Sequence, residues 1–373
     1  MAGLYIHIPF CASRCAYCGF YSTVGHGRQA GYVQALAQEM ELRGHFLEPS
    51  EGIDTIYLGG GTPSQLGERL IGLLFGHIYK VYGRHSRETT VEVNPDDVTP
   101  SMAACLAANG VDRVSMGAQT FDDSRLRWLR RRHTAHEVST AVDLLSKAGI
   151  RHISVDLMYG FPGQTIEQWD SDICQAIGLG VEHVSAYSLM YEEGTPLYSW
   201  LQQKRIEEVD ENVSVEMYQT LVRRMKAAGY EHYEISNFAK PGCRAKHNSS
   251  YWNDTHYIGL GAAAHSYNGK VRQWNVDNID TYIQAVGQGR VPAEVETIDP
   301  DTHYDDLVTT ALRTFDGLSL DWLEPRYRDF ILRAAQPYLD DQRMERIADR
   351  LRITEKGVMV SDMIMSDLMI VDD

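Results

Sequence analysis

Along the first half of the chain, short apolar runs alternate with longer segments in which apolar residues return every three or four positions. The runs Leu4–Ile8, Thr55–Leu58, Thr89–Val93, Arg113–Gly117, Ile153–Met158 and His183–Leu189 are mostly rich in Val, Ile and Tyr, as strands are. Between them, Tyr32–Leu47 places Val33, Leu36, Ala37, Met40 and Leu42 on one helical face. Leu66–Tyr82 and Ala135–Ala148 read the same way. Gly110 and Gly149 fall just past helix ends, where a left-handed residue closes the last turn. Six strands, each followed by helix, predict a parallel α/β sheet built by βα crossovers. A partial, TIM-like (β/α)6 barrel over residues 1–200 fits, with an open flavodoxin-like sheet as the alternative. Polar residues at the end of nearly every strand favour the barrel, because barrel active sites collect at that face.

Regularity falls away beyond residue 200. A charged helix over about 207–228 leads to Gly229-Tyr230, and a polar, aromatic stretch runs from Tyr233 to Tyr267. We read 201–300 as an extension of the barrel. Residues 301–373 predict a small, mainly helical, winged-helix-like domain with its wing at Leu351–Gly357. The composition, 43% hydrophobic and 23% charged over 373 residues, is that of a globular protein. Fifty-one acidic residues against 35 basic ones give a net charge of −16. That balance counts against a nucleic-acid partner, and the basic run Arg125–Arg132 is too local to reverse it. No apolar stretch approaches the roughly 18 residues of a membrane span. The N-terminus lacks a basic segment followed by an apolar run, so a cytoplasmic location is expected. So acidic a surface docks poorly on an anionic leaflet, which limits any membrane contact to a transient one.

Three of the six cysteines crowd into Phe10-Cys11-Ala12-Ser13-Arg14-Cys15-Ala16-Tyr17-Cys18-Gly19-Phe20, with spacing C-x3-C-x2-C. These positions also share one helix face, but Pro9 and Gly19 suit a loop better. Zinc normally takes four ligands in two pairs. Three thiolates in one tight loop better suit a [4Fe–4S] cluster with one iron free of cysteine. Cys105 and Cys174 sit in helical apolar patterns and are expected to be buried, inert thiols. Cys243, in a loop, stays open as a fourth ligand.

This motif after a first strand resembles that of radical S-adenosylmethionine (SAM) enzymes. The resemblance implies that the open iron chelates the amino and carboxylate groups of SAM, which electron transfer cleaves to a 5′-deoxyadenosyl radical. It also implies roles for residues at the other strand ends. Gly60, Gly61 and Thr62, in Leu58-Gly59-Gly60-Gly61-Thr62-Pro63, would bind the methionine amino group. Glu92 alternates with Val91 and Val93 and would point into the barrel mouth. Gln119 ends the fourth strand. Arg131, in Leu129-Arg130-Arg131-Arg132-His133, would hold a carboxylate, with its two arginine neighbours as close alternatives. Asp156, between Val155 and Leu157, needs a partner such as a ribose hydroxyl, because burying a lone carboxylate is costly. Tyr5 and Tyr17 flank the cysteines and would pack on SAM or the cluster.

Tyr5-Ile6-His7-Ile8-Pro9-Phe10-Cys11 and Asp156-Leu157-Met158-Tyr159-Gly160 look like the oxygen-independent coproporphyrinogen III oxidase family over nearly the whole chain. That oxidase carries a further cysteine two residues after the third; here the position is Phe20, which counts against decarboxylase activity. His247-Asn248-Ser249-Ser250-Tyr251-Trp252 instead resembles the H-N-x-x-Y-W pattern of the heme chaperone branch, HemW. The resemblance implies a protein that binds heme and passes it to acceptor hemoproteins, such as respiratory ones, with His247 as the heme contact. Tyr251 and Trp252 offer flat apolar surface for a porphyrin. The residues by themselves also fit a hydrogen-bonded structural turn.

Overall fold

A computed structural model of the chain describes residues 1–25, 27–48 and 50–370. Six strands lie side by side, parallel and in chain order: β1 (Ala2–Ile8), β2 (Ile53–Gly60), β3 (Glu88–Val93), β4 (Arg113–Gln119), β5 (His152–Tyr159) and β6 (His183–Ser188). They match the six expected runs to within two residues at each end. In β1, Leu4, Ile6 and Ile8 are fully buried among the surrounding helices. Alternation turns Tyr5 and His7 to the barrel interior. Helices Gln29–Leu42, Gly67–Tyr82, Pro100–Ala108, Ala135–Lys147 and Ile166–Gly178 make the crossovers. Threonines start three of them: Thr99 caps the third, while Thr134 with Glu137 and Thr165 with Gln168 form reciprocal capping pairs.

Residues 201–300 extend the sheet at both edges. Beyond β6 come β8 (Asn237–Ala239) and then β7 (Glu231–Glu234), both antiparallel. Beyond β1 comes β9 (Tyr257–Leu260), which is parallel to β1 and so adds a seventh barrel strand. β10 (His265–Tyr267), β11 (Val271–Asn275) and β12 (Ala293–Thr297) continue that edge antiparallel, giving twelve strands in all. A buried polar seam fixes β9. Glu39, fully enclosed on helix Gln29–Leu42, accepts from Gly261 N (2.8 Å), Tyr282 Oη (2.6 Å) and Asn275 Nδ2 (2.7 Å). Arg43, one turn on, donates to the Gly259 carbonyl at 2.9 Å.

The C-terminal portion is mainly helical: Pro300–Ala311, Pro325–Ala334, Gln336–Asp340 and Ser361–Leu368 surround a small antiparallel sheet of β13 (Leu318–Ser319), β14 (Met344–Ile347) and β15 (Arg350–Ile353). The wing is the β14–β15 hairpin, earlier than the expected Leu351–Gly357, because Thr354–Gly357 turns into the next helical segment. Among the described residues, no helix is long and apolar enough to cross a membrane.

Candidate functional site

The barrel strands β2–β6 and the loop after β1 border one cavity of about 450 Å³. Cys11, Cys15 and Cys18 line it. Their loop is held in two places. Phe10–Cys11 pairs with Thr23–Val24, and Ala16 N donates to the Leu129 carbonyl at 3.0 Å. All three cysteines are free thiols and partly buried. Burial lifts Cys11, and lifts Cys18 to about 11; Cys15 adds to both rises and Cys11 to that of Cys18.

The other three cysteines lie elsewhere. Cys174 is exposed rather than buried, because it sits on the outer face of helix Ile166–Gly178. Cys105 is half-buried, its thiol 3.5 Å from the Glu68 carbonyl. Cys243 is ruled out as a partner of the cysteine loop by position. Its carbonyl accepts from Arg113, the first residue of β4, at the opposite end of the strand from Gln119.

Gly60 and Gly61 form the wall beside Cys11. Gly60 has φ +110°, and a Cβ there would lie 2.5 Å from the His7 ring; at Gly61 it would lie 2.9 Å from the Ile8 carbonyl. Both glycines are therefore demanded by the close approach of this loop to β1. Thr62 Oγ1 stands 3.6 Å from Cys11 Sγ. Glu92 accepts from Tyr57 Oη (2.7 Å) and Gly60 N (3.0 Å), and Asp156 from Ser115 Oγ at 3.2–3.3 Å. Burial lifts Glu92 to about 7 and Asp156 to about 6; Asp156 raises Glu92 further, whereas the hydrogen bonds lower each. Gln119 sits at φ +68° beside a break in the β4–β5 register, a strained position of the kind found at functional sites.

The arginine run resolves by geometry. Arg131 turns inward, with Nη2 on Asn94 Oδ1 (2.7 Å) and the Gly117 carbonyl (2.5 Å), and Nη1 3.6 Å from Cys15 Sγ. Its Nε is buried without a partner. Arg132 pairs instead with Asp96 and Asp97, and Arg130 lies over the Trp200 ring.

Tyr17, Gly60, Gly61, Thr62, Glu92, Gln119, Arg131 and Asp156 thus share the cavity with the three cysteines. Tyr5, expected to pack on SAM or the cluster, does not line it, and neither does His247, the expected heme contact. Tyr5 lies mid-strand in β1, about 10 Å below the loop at ~3.3 Å per residue, bonded to His7 and stacked on Tyr57. His247 enters from the opposite end on the short helix Lys246–Ser250. It is 1% exposed, with Nδ1 on Thr55 Oγ1 (2.8 Å), Nε2 on Tyr251 Oη (2.9 Å) and its ring stacked on Tyr57. Burial holds it at about 3, a neutral imidazole with both nitrogens engaged. Ser115, Ser185, Asn248, Tyr57 and Tyr187 also line the cavity, without having stood out in the sequence as residues of this site. Small polar residues at inward positions of apolar strands were the available signal.

The pattern of the radical SAM superfamily matches residues 5–173. The heme chaperone HemW of Mycobacterium tuberculosis is 33% identical over 98% of this chain and 94% of its own length. HemW of Bacillus subtilis is 38% identical over 78% of each. The chain belongs to the HemW family of the radical SAM superfamily. The solved coproporphyrinogen III oxidase from Escherichia coli shares the fold, with a TM-score of 0.83 at 22% identity over 98% of this chain and 89% of that one.

Membership of the HemW family and its superfamily implies a [4Fe–4S] cluster and SAM, and the cavity fits both. Its donor set has three thiols for iron. The orphaned Arg131 Nε suits an anion, and two half-buried carboxylates suit an ammonium group and hydroxyls. One consequence concerns Glu92. Its folded value, about 7, lies above the ordinary 4.5, so the folded state binds the proton more tightly. The stability this contributes is complete below pH 4.5 and lost as pH rises through 7. Without SAM, Glu92→Gln should therefore be more stable than wild type at pH 8, by on the order of 2 kcal/mol, with a much smaller gap at pH 5. Thermal unfolding at both values checks this; a gap independent of pH would contradict it.

Proposed function

We propose that this protein is a heme chaperone: it binds heme, carries a [4Fe–4S] cluster beside a SAM site, and delivers heme to acceptor hemoproteins. The observation that carries the reading is near-full-length likeness to relatives named heme chaperone. The cavity supports it. Cys11, Cys15 and Cys18 would hold three irons of the cluster and leave the fourth for SAM. Thr62, Glu92 and Asp156 would meet the ammonium and hydroxyl groups, Arg131 the carboxylate, and Tyr17 and Gln119 would complete the wall. The bound pair supplies one-electron chemistry; the residues of this chain bind and orient it. Phe20, 73% exposed at the cavity mouth, stands where the oxidase pattern has a cysteine, which disfavours porphyrinogen decarboxylation. Heme is here the cargo. With both nitrogens taken, His247 supports the Tyr251–Trp252 segment rather than ligating iron.

Titrating heme into anaerobically reconstituted protein tests this. A saturable shift of the Soret band is expected. Binding that never saturates above a nonspecific background would end the reading.

A further inference from the structure

At the opposite end of the barrel from the cysteines lies a second hollow of about 530 Å³, in the size range of small-molecule sites. One wall is the underside of the barrel, with Tyr233 at the end of β7 and Ser249, Trp252 and Asn253 beside helix Lys246–Ser250. The other wall belongs to the C-terminal portion, with Thr314–Gly317, Trp322 and the wing residues Ile347, Arg350 and Arg352. Its character is aromatic and basic. Trp322 and Ile347 are 39% and 47% exposed and stand together on this wall. Arg313 lies 5.3 Å over the Trp252 ring, and Arg350 lies 5.5 Å over Trp322.

The charges around it are unevenly committed. Arg352 pairs with Glu345, Arg313 with Glu234, and Asp316 with Arg244. Asp349 accepts from Ser319. Among the described residues Arg350 makes no ion pair; its guanidinium donates to the Asp316 and Gly317 carbonyls at 3.4 and 3.1 Å. Asp349, the residue before it, feels the Arg350 charge but forms no ion pair with it. An arginine with no close counter-charge beside exposed aromatic surface suits a flat apolar ligand that brings its own carboxylates. The lining contains no His, Cys or Met, so it offers none of the usual protein ligands of heme iron.

We propose that this groove, between the barrel underside and the C-terminal wing, is where the chain holds its tetrapyrrole. The macrocycle lies against Trp252, Trp322 and Ile347, and Arg350 meets a propionate, with Arg352 beside it. The iron takes no ligand from the groove and stays open to an acceptor. The proposal rests on the heme-carrier reading and adds the location and the mode of holding. It also gives the H-N-x-x-Y-W segment a division of labour: His247 anchors the segment inside the barrel, and Trp252 presents the surface.

The test is heme and metal-free protoporphyrin IX titration of reconstituted wild type, Trp322→Ala and Arg350→Glu. Both side chains are surface-accessible, and an unchanged iron–sulfur spectrum reports that each variant is folded. Each variant is expected to bind heme at least about tenfold more weakly, an effect of the size that aromatic stacking and charge-assisted pairing supply. Protoporphyrin IX should bind wild type within about tenfold of heme, because no iron bond is needed. Wild-type affinity in both variants, or no binding of metal-free porphyrin, would overturn the groove while leaving the carrier reading intact. Failure of wild type to bind heme at all would overturn both.

Discussion

Cys15→Ala should abolish the iron–sulfur absorption of anaerobically reconstituted protein and reduce its iron content to background. The three thiols form one group at the cavity mouth, and the remaining cysteines stand apart from it. Cys243 is at the far end of β4, Cys174 faces outward, and Cys105 bonds within the helical layer. No thiol is therefore placed to replace the one removed. SAM binding should fall with the cluster, because the cavity by itself offers charged and polar side chains but no iron to chelate the ligand. Cys105→Ala, Cys174→Ala and Cys243→Ala should keep full iron content. Iron and sulfide analysis of the four variants decides it. Iron retained in Cys15→Ala, or lost in Cys243→Ala, would require another ligand set.

Glu88→Ala should be the most destabilising single truncation at the underside of the barrel, costing about 3–5 kcal/mol. Glu88 is 1% exposed and meets three donors from two elements. Arg113 Nε lies at 2.9 Å, the Lys246 N–H at 3.0 Å and the His247 N–H at 2.9 Å. Truncation leaves the Arg113 guanidinium, 2% exposed, without its counter-charge, and leaves two main-chain donors without an acceptor. The same carboxylate ties the Lys246–Ser250 helix to β3, so its loss should also loosen Tyr251 and Trp252 and weaken heme binding. Glu88→Gln, which keeps an acceptor but not the charge, should fall between alanine and wild type. Chemical denaturation of the three proteins checks the order. A cost below about 1 kcal/mol for alanine would show that water reaches Arg113.

The barrel was legible because parallel strands buried on both faces leave a local signature of apolar runs at regular intervals. β9 escaped notice for the converse reason. It is four residues long, lies in a polar aromatic stretch, and is fixed by Glu39 and Arg43 on a helix more than two hundred residues away. The cavity residues were legible for a related reason: a polar side chain at a strand end is a local feature, and the fold puts all strand ends at one face. Depth is not local. Tyr5 flanks the cysteines in sequence but sits mid-strand, and His247 reaches the interior from the other end. The hollow containing Trp252 was out of reach because its second wall, from Thr314 to Arg352, comes from a separate part of the chain.

On the function proposed above, this radical SAM barrel carries heme rather than converting a porphyrin precursor. One anaerobic experiment addresses it most directly. Reconstituted protein is given SAM, a low-potential reductant and coproporphyrinogen III in one vessel, and SAM, reductant and heme in another. Tetrapyrroles are then analysed by mass. The account predicts unchanged coproporphyrinogen in the first vessel and intact, protein-bound heme in the second. Protoporphyrinogen in the first vessel, or modified heme in the second, would contradict it.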